Sequence, residues 1–228
     1  MQTISGLSIQ SIKEKALKFS DKDGNCFVVI NSDGTIGRAI SCPAELQVSF
    51  ENAKKMIIVI FEGTRFLNCR VKAINSDNSL LCIGHSTRKI ANLEIFFKFS
   101  NHNHCIIGEG FSCGDVQIMV SEKANVTIGD DCMFSDNVKI WNFDGHAILD
   151  KNGKCINHAK DIIIGKHVWL GMDATVSKGA IIADGSVVGQ KSLVTSQFLE
   201  PMSILAGIPA KQIANNIVWK RNPPSDFQ

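Results

Sequence analysis

The sequence predicts an all-β chain built as a parallel solenoid of stacked coils, and three observations carry that prediction. From Ile164 onward an aliphatic residue recurs at every sixth position: Ile164, Leu170, Val176, Ile182, Val188 and Val194. The fifth residue of each six (Val168, Ala174, Ala180, Ser186 and Ser192) is mostly small. Upstream, Val48, Val71, Ile95 and Ile118 form one series and Ile60, Ile83, Ile107 and Ile128 a second, at spacings of 21 to 24 residues.

A period of six does not return one face of an α-helix, whose rows recur near 3.6 residues. It fits a short strand and a tight turn, repeated, with one aliphatic residue of each strand pointing inward. Gly, Asn and Asp between the aliphatics take the positive φ of such turns. One unit cannot bury its own apolar face, so the coils must stack.

Residues 1–44 precede the rhythm and are expected to cap the open end of the solenoid, where strand edges and core would otherwise be exposed. Within them "GNCFVVINSDGTIGRA" reads as two strands around an Asp-Gly turn, and residues 11–18 as a short helix. Residues 45–200 form the β-helix, irregular over 45–125 and regular over 126–200. The beat stops between Ile140 and Ile164, predicting a loop over 144–161 with His146 at its start. The segment 201–228 holds "AGIPAK" and then "QIANNIVWKR" (212–221), whose apolar spacing predicts a short terminal helix.

Composition bounds the function. A net charge of +2 gives no general pull toward nucleic acid or anionic membrane. The longest apolar run, "MIIVIF" at 56–61, is strand-sized, so no membrane span is expected. The first residues lack the pattern of a signal peptide, which predicts a cytoplasmic protein. The eight cysteines form no CxxC pair and read as reduced, buried small apolar side chains.

The rhythm, "IGKHVWLGMDATVSKGAIIADGSVVGQKSLVT" and the closing "LAGIPAKQI" together resemble the hexapeptide-repeat acyltransferases, closest to the bacterial O-acetyltransferases of sugars, capsule and lipopolysaccharide. The resemblance implies a left-handed parallel β-helix; the general preference for right-handed crossovers would have implied the opposite hand. It implies an acetyl-CoA-dependent transfer of acetyl to a saccharide hydroxyl, with no metal, in a homotrimer whose active sites lie at subunit interfaces. By the same resemblance His146 is the general base and the backbone N–H of Met172 meets the oxyanion. Trp169 and Gly171 flank the acetyl end of acetyl-CoA. Gln190, Lys191, Ala206, Gly207, Pro209 and Lys211 line the coenzyme A arm. Sugar acetyltransferases of the maltose and galactoside type carry an acceptor-binding asparagine in the coil before the "IGD" turn. Here that coil reads "DVQIMV", with Gln117 the nearest polar residue, so no acceptor residue carries over.

The residues themselves support this chemistry. A thioester is an activated acyl donor, so the reaction needs a base and an oxyanion donor rather than a covalent nucleophile. Histidine, titrating near 6.5, suits the first role and contributes about 10²–10⁴ in rate. A rigid backbone N–H suits the second and is worth about 10²–10³. Asp144 and Asp150 are the candidates for a carboxylate that orients His146. Trp141, Asn142 and His158 flank or occupy the break and are candidates for acceptor contact. Lys191, Lys211, Lys220 and Arg221 are candidates for the donor's phosphates. His167 falls at a turn and is expected to be exposed. Alternatives are an N-acetyltransferase of an amino-sugar nucleotide, a metal-dependent hydratase, and a non-catalytic scaffold on the same fold.

Overall fold

The protein is described by a computed structural model covering residues 3–4, 6–38 and 45–227. Cys42 and the expected boundary at residue 44 lie outside these residues.

The coils wind into a three-sided prism. Among the described residues its faces are sheets of eight, seven and nine strands, called here the first, second and third face. The chain passes from second to third to first face in every coil. One round of the regular part runs Val138–Trp141 (second face), Ile162–Ile164 (third), Trp169–Leu170 (first) and Thr175–Ser177 (second again). Neighbouring coils pair in parallel. Val48, Val71, Ile95, Ile118, Ile140, Val176 and Val194 form one register row. Ile60, Ile83, Ile107, Ile128, Ile164 and Ile182 form another.

Both series read from the sequence are therefore inward rows. The leading aliphatics of the hexapeptides and their small companions Val168, Ala174, Ala180, Ser186 and Ser192 are all buried. The companions must be small because they stand just inside the corners, where two faces converge. One apolar cluster runs the length of the prism from Leu46 to Ala210. Coils meet closely at Gly84, Gly108, Gly129 and Gly165, which follow four successive third-face strands: a Cβ on Gly129 would lie 2.7 Å from the backbone of Gly165.

Before residue 45 the helix Ile9–Ala16 is capped by Ser8, whose Oγ accepts the Ser11 N–H at 3.1 Å. It buries Ile12 and Ala16 on the outside of the third face. This explains the unbroken apolar run Ile57–Phe61, which is buried on both sides. Cys26–Ile30 joins the third face in parallel with Ile57–Phe61, and Ile36–Arg38 closes its edge antiparallel.

The helix expected over 212–221 does not form. Ala210–Ala214 is a strand, antiparallel to Ile204–Gly207. It pairs the edge that the last strand of the first face would otherwise leave open. The helical turn of this segment is a 3-10 turn at Pro224–Phe227. No helix among the described residues is long and apolar enough to cross a membrane.

The break at 140–165 is one elongated corner. Ile140 stands on the second face and Ile164 on the third. That step takes six residues from Val176 to Ile182 and 24 from Ile140 to Ile164, so the insertion is 18 residues.

Candidate active site

The loop leaves the second–third corner after Trp141 and returns at Ile162. Its neck is closed by Lys160, whose N–H donates to the Asn142 carbonyl at 3.1 Å. Its tip is a small hairpin in which Asp150 Oδ1 accepts the N–H groups of Asn152 and Lys154. Asp150 thus shapes the turn and does not reach His146.

His146 is exposed in a cleft of about 340 Å³ with Phe99, Phe143, Cys155, Asn157 and His158. Among the described residues no hydrogen bond reaches its ring. Asp144 is also not at the ring. Its carboxylate accepts from Lys178 Nζ and, at 2.8 Å, from Asn157 Nδ2. The Lys178 contact is the main reason its pKa lies below the usual carboxylate range; slight desolvation opposes it and Asn157 adds to it. The backbone of His146 is what the network holds. Asn157 Nδ2 donates to its carbonyl at 2.9 Å, Asn157 Oδ1 accepts the Ile148 N–H at 2.7 Å, and Lys178 Nζ reaches the Asn157 carbonyl at 2.8 Å. Lys178 stands on the next coil, so a rigid turn fastens both limbs of the loop. The sequence reading missed Asn157 and Lys178, because the partners that hold the loop lie 9 to 34 residues away and no local pattern marks them.

Of the acceptor candidates, Asn142 is corrected. It is wholly buried, its Oδ1 accepting the Ser121 N–H at 2.9 Å and its Nδ2 donating to the Ala124 carbonyl at 3.0 Å. Both ends serve the joint between coils, and nothing is left for a substrate. Trp141 is exposed on the second face. His158 lines the cleft, its Nδ1 3.4 Å from Glu122 Oε2.

The residues expected along coenzyme A gather on the first–second corner. Met172 is exposed there, and its N–H donates to no acceptor among the described residues. One coil on, the Lys191 N–H donates to the Met172 carbonyl at 2.8 Å, with Gln190 and Lys191 exposed. One coil further, the Gly207 N–H donates to Ser192 Oγ at 3.2 Å, and Ala206 pairs with Lys211 in the hairpin that Pro209 turns. A free N–H at the foot, and exposed cations Lys191 and Lys211 above it, fit an acyl carrier with phosphates at its far end. Gly171 is buried at the base of this line: its Cβ would meet the Gln190 backbone at 2.7 Å.

Trp169 is half-buried on the first face, its Nε1 3.4 Å from Ser135 Oγ and its ring 6.0 Å from that of Trp219. Trp219 is held by a C-terminal strap. It stacks on His167 at 4.0 Å, and its Nε1 donates to the His167 carbonyl at 2.8 Å. His167 Nδ1 lies 2.7 Å from Asp131 Oδ2, so His167 is half-buried and clasped rather than exposed as the turn suggested. Arg221 donates to Asp131 and to Ser112 Oγ at 2.8 Å, which uses up a cation offered for phosphate binding. Desolvation pushes the Asp131 pKa up, but His167, Arg221 and Arg88 outweigh it and leave the pKa below the usual range.

His146 and Met172 therefore stand on different corners of one chain, with the second face between them. A four-residue strand such as Val138–Trp141 spans about 10–13 Å. A general base must stand within about 3 Å of the proton it takes. One chain does not bring the two groups to one point.

No protein-family model matches the chain. The polysialic acid O-acetyltransferase of Neisseria meningitidis is 35% identical over 182 residues, covering 76% of this chain and 82% of that one. The chain belongs to the hexapeptide-repeat O-acetyltransferases. A second relative among these O-acetyltransferases, the polysialic acid O-acetyltransferase of Escherichia coli O1:K1 / APEC, is 47% identical over 123 residues; the match covers 54% of this chain and 40% of that one. Two solved acetyltransferases are similar in fold. The polySia-specific acetyltransferase NeuO has a TM-score of 0.55 at 28% identity, over 87% of this chain and 85% of that one. The polysialic acid O-acetyltransferase OatWY has a TM-score of 0.56 at 27% identity, over 87% and 91%. The shared fold is the left-handed parallel β-helix, so the hand implied by the repeat holds.

Proposed function

We propose that this acyltransferase moves the acetyl group of acetyl-CoA to a hydroxyl of a sialic acid polymer. We further propose that it works as a homotrimer in the cytoplasm, where acetyl-CoA is made. The acceptor rests on the names of the two curated relatives and the two solved ones. The observation that carries the trimer is the separation of His146 from the Met172 line. A closed ring in which each second–third corner meets the next copy's first–second corner completes three identical sites.

In each site His146 accepts the proton of the sugar hydroxyl as its oxygen attacks the thioester carbonyl carbon. The Met172 N–H receives the oxyanion that forms. When the C–S bond breaks, the carbonyl re-forms and the coenzyme A thiolate takes the proton back from His146. Lys191 and Lys211 hold the donor's phosphates, and the Asn157–Lys178 staple fixes where His146 stands.

Acetyl transfer to purified polysialic acid, read by mass spectrometry, tests the acceptor: no transfer at any chain length would sink it. Subunit complementation tests the site. His146→Ala alone loses activity while still binding acetyl-CoA, and Met172→Pro, which removes the N–H, is also inactive. When the two are unfolded together and reassembled one to one, about a quarter of the sites regain both groups. No recovery from assembled mixed trimers would place the whole site within one chain.

A further inference from the structure

The second–third corner carries an aromatic residue in a backbone conformation that rings rarely adopt. Four successive coils place a left-handed residue at the same slot: Asn52 (φ 51°), Asn75 (φ 47°), Phe99 (φ 53°) and Glu122 (φ 52°). The ladders align them, since Glu51 pairs with Ile74, Ile74 with Lys98, and Lys98 with Ser121. Asn enters this region at little cost, whereas a bulky ring there is an outlier. Phe99 gains no burial in exchange: it is 58% exposed. The ladder skips it between Lys98 and Ser100, a bulge that turns its side chain out of the sheet.

The ring faces the cleft that holds His146. Phe99, Glu122 and His158 line that cleft, and the same three line an adjoining recess with Asn101 and Lys123. The two form one groove along the corner. Phe99 stands two coils from the loop, about 10 Å at the spacing of paired strands. The Lys98 ammonium lies 5.7 Å from the ring centroid, and Lys123 is exposed beside it. The groove's two carboxylates are engaged: Glu122 Oε2 accepts the Ala159 N–H at 3.1 Å, and Asp144 is held by Lys178. An aromatic face flanked by cations suits a sugar ring bearing a carboxylate.

We propose that Phe99, with Lys98 and Lys123, forms an accessory subsite for a distal sugar of an anionic polymeric acceptor whose reacting unit lies at His146. This rests on the acceptor reading above and extends it from one sugar to a bound stretch of chain. Strain of this kind, kept against the backbone's preference, is found at ligand clamps.

The test is Phe99→Asn, which fits the slot as Asn52 and Asn75 do. Its melting temperature is expected to be no lower than wild type, because relief of the backbone offsets the lost ring contacts. Its KM for long polysialic acid should rise about tenfold, the scale of one aromatic contact. The rise should shrink as the acceptor is shortened to one or two sugars, and KM for acetyl-CoA should hold. Asn75→Gly, one coil further from the loop, should leave the polymer KM unchanged. Titration of the polymer into His146→Ala, with and without Phe99→Asn, reads the same loss as binding. A polymer KM within twofold of wild type overturns the subsite, as does a change in oligomeric mass, which would make Phe99 an interface contact. Wild-type protein that neither binds nor acetylates the polymer refutes the acceptor reading, and the subsite with it. Wild type that does both, matched by Phe99→Asn, refutes the subsite alone.

Discussion

Asn157→Ala tests whether the loop positions His146 through its backbone. The change removes two donations, to the His146 carbonyl at 2.9 Å and to Asp144 at 2.8 Å, and one acceptance, from the Ile148 N–H at 2.7 Å. Each such bond is worth about 0.5–1.5 kcal/mol net. Water reaches this half-exposed site and replaces part of that, which leaves roughly 1–3 kcal/mol of lost loop order, or about 5- to 150-fold in the held fraction. A misplacement of about 1 Å can cost about a hundredfold in rate. We expect kcat to fall by about ten- to a hundredfold in a steady-state transfer assay. KM for acetyl-CoA should hold, since the residues proposed to hold it stand on another corner. The melting temperature should move by only about 2 °C, because the core is untouched. Asn157→Asp keeps the shape but loses both donors and sets a carboxylate against Asp144, so it should fare no better. A kcat within twofold of wild type for both variants would refute the argument.

Three further outcomes follow from the same geometry. Asn142→Ala leaves the Ser121 N–H buried without its acceptor, at about 1–3 kcal/mol, while the Ala124 carbonyl keeps Asn103 Nδ2 at 3.2 Å, and should lower the melting temperature by about 3–12 °C; a drop under 2 °C would show that the N–H finds another partner. Asp144 has a lowered folded-state pKa, so its share of loop order is complete above the unfolded carboxylate range and is lost as pH falls through the folded value. Proteolysis of the loop should thus stay constant from neutral pH to about 5 and accelerate only in stronger acid; acceleration already near pH 6 would contradict the pairing with Lys178. Under native conditions Cys155, half-buried in the loop, should take up a thiol reagent before Cys26, Cys69, Cys82, Cys105, Cys113 or Cys132. Burial pushes the Cys82 and Cys132 thiols up to about 12, and mass spectrometry showing either modified first would refute the packing.

The sequence by itself determined the solenoid and its inward rows. A period of six is a local property: it says which residue of each short strand points in, and stacking follows because one coil cannot bury its own face. The same rhythm marked 140–165 as a protruding break and set His146 near rigid scaffold. The slot of Phe99, shared with Asn52 and Asn75, came from the backbone angles and the register of the coils. Tertiary structure alone decided the corners and the partners. It put His146 and Met172 on different edges of the prism. It turned Asn142 inward to join two coils and gave Asp144 to Lys178 instead of the imidazole. It spent Arg221 on Asp131, 90 residues away, and made a strand of a segment whose local spacing suited a helix. The physical reason is range. Turn and strand preferences act over a few residues, whereas the side-chain pairings arise between groups 18 to 90 residues apart that meet only once the coils are stacked, and the terminal hairpin, though local, extends a sheet edge that exists only in the stack.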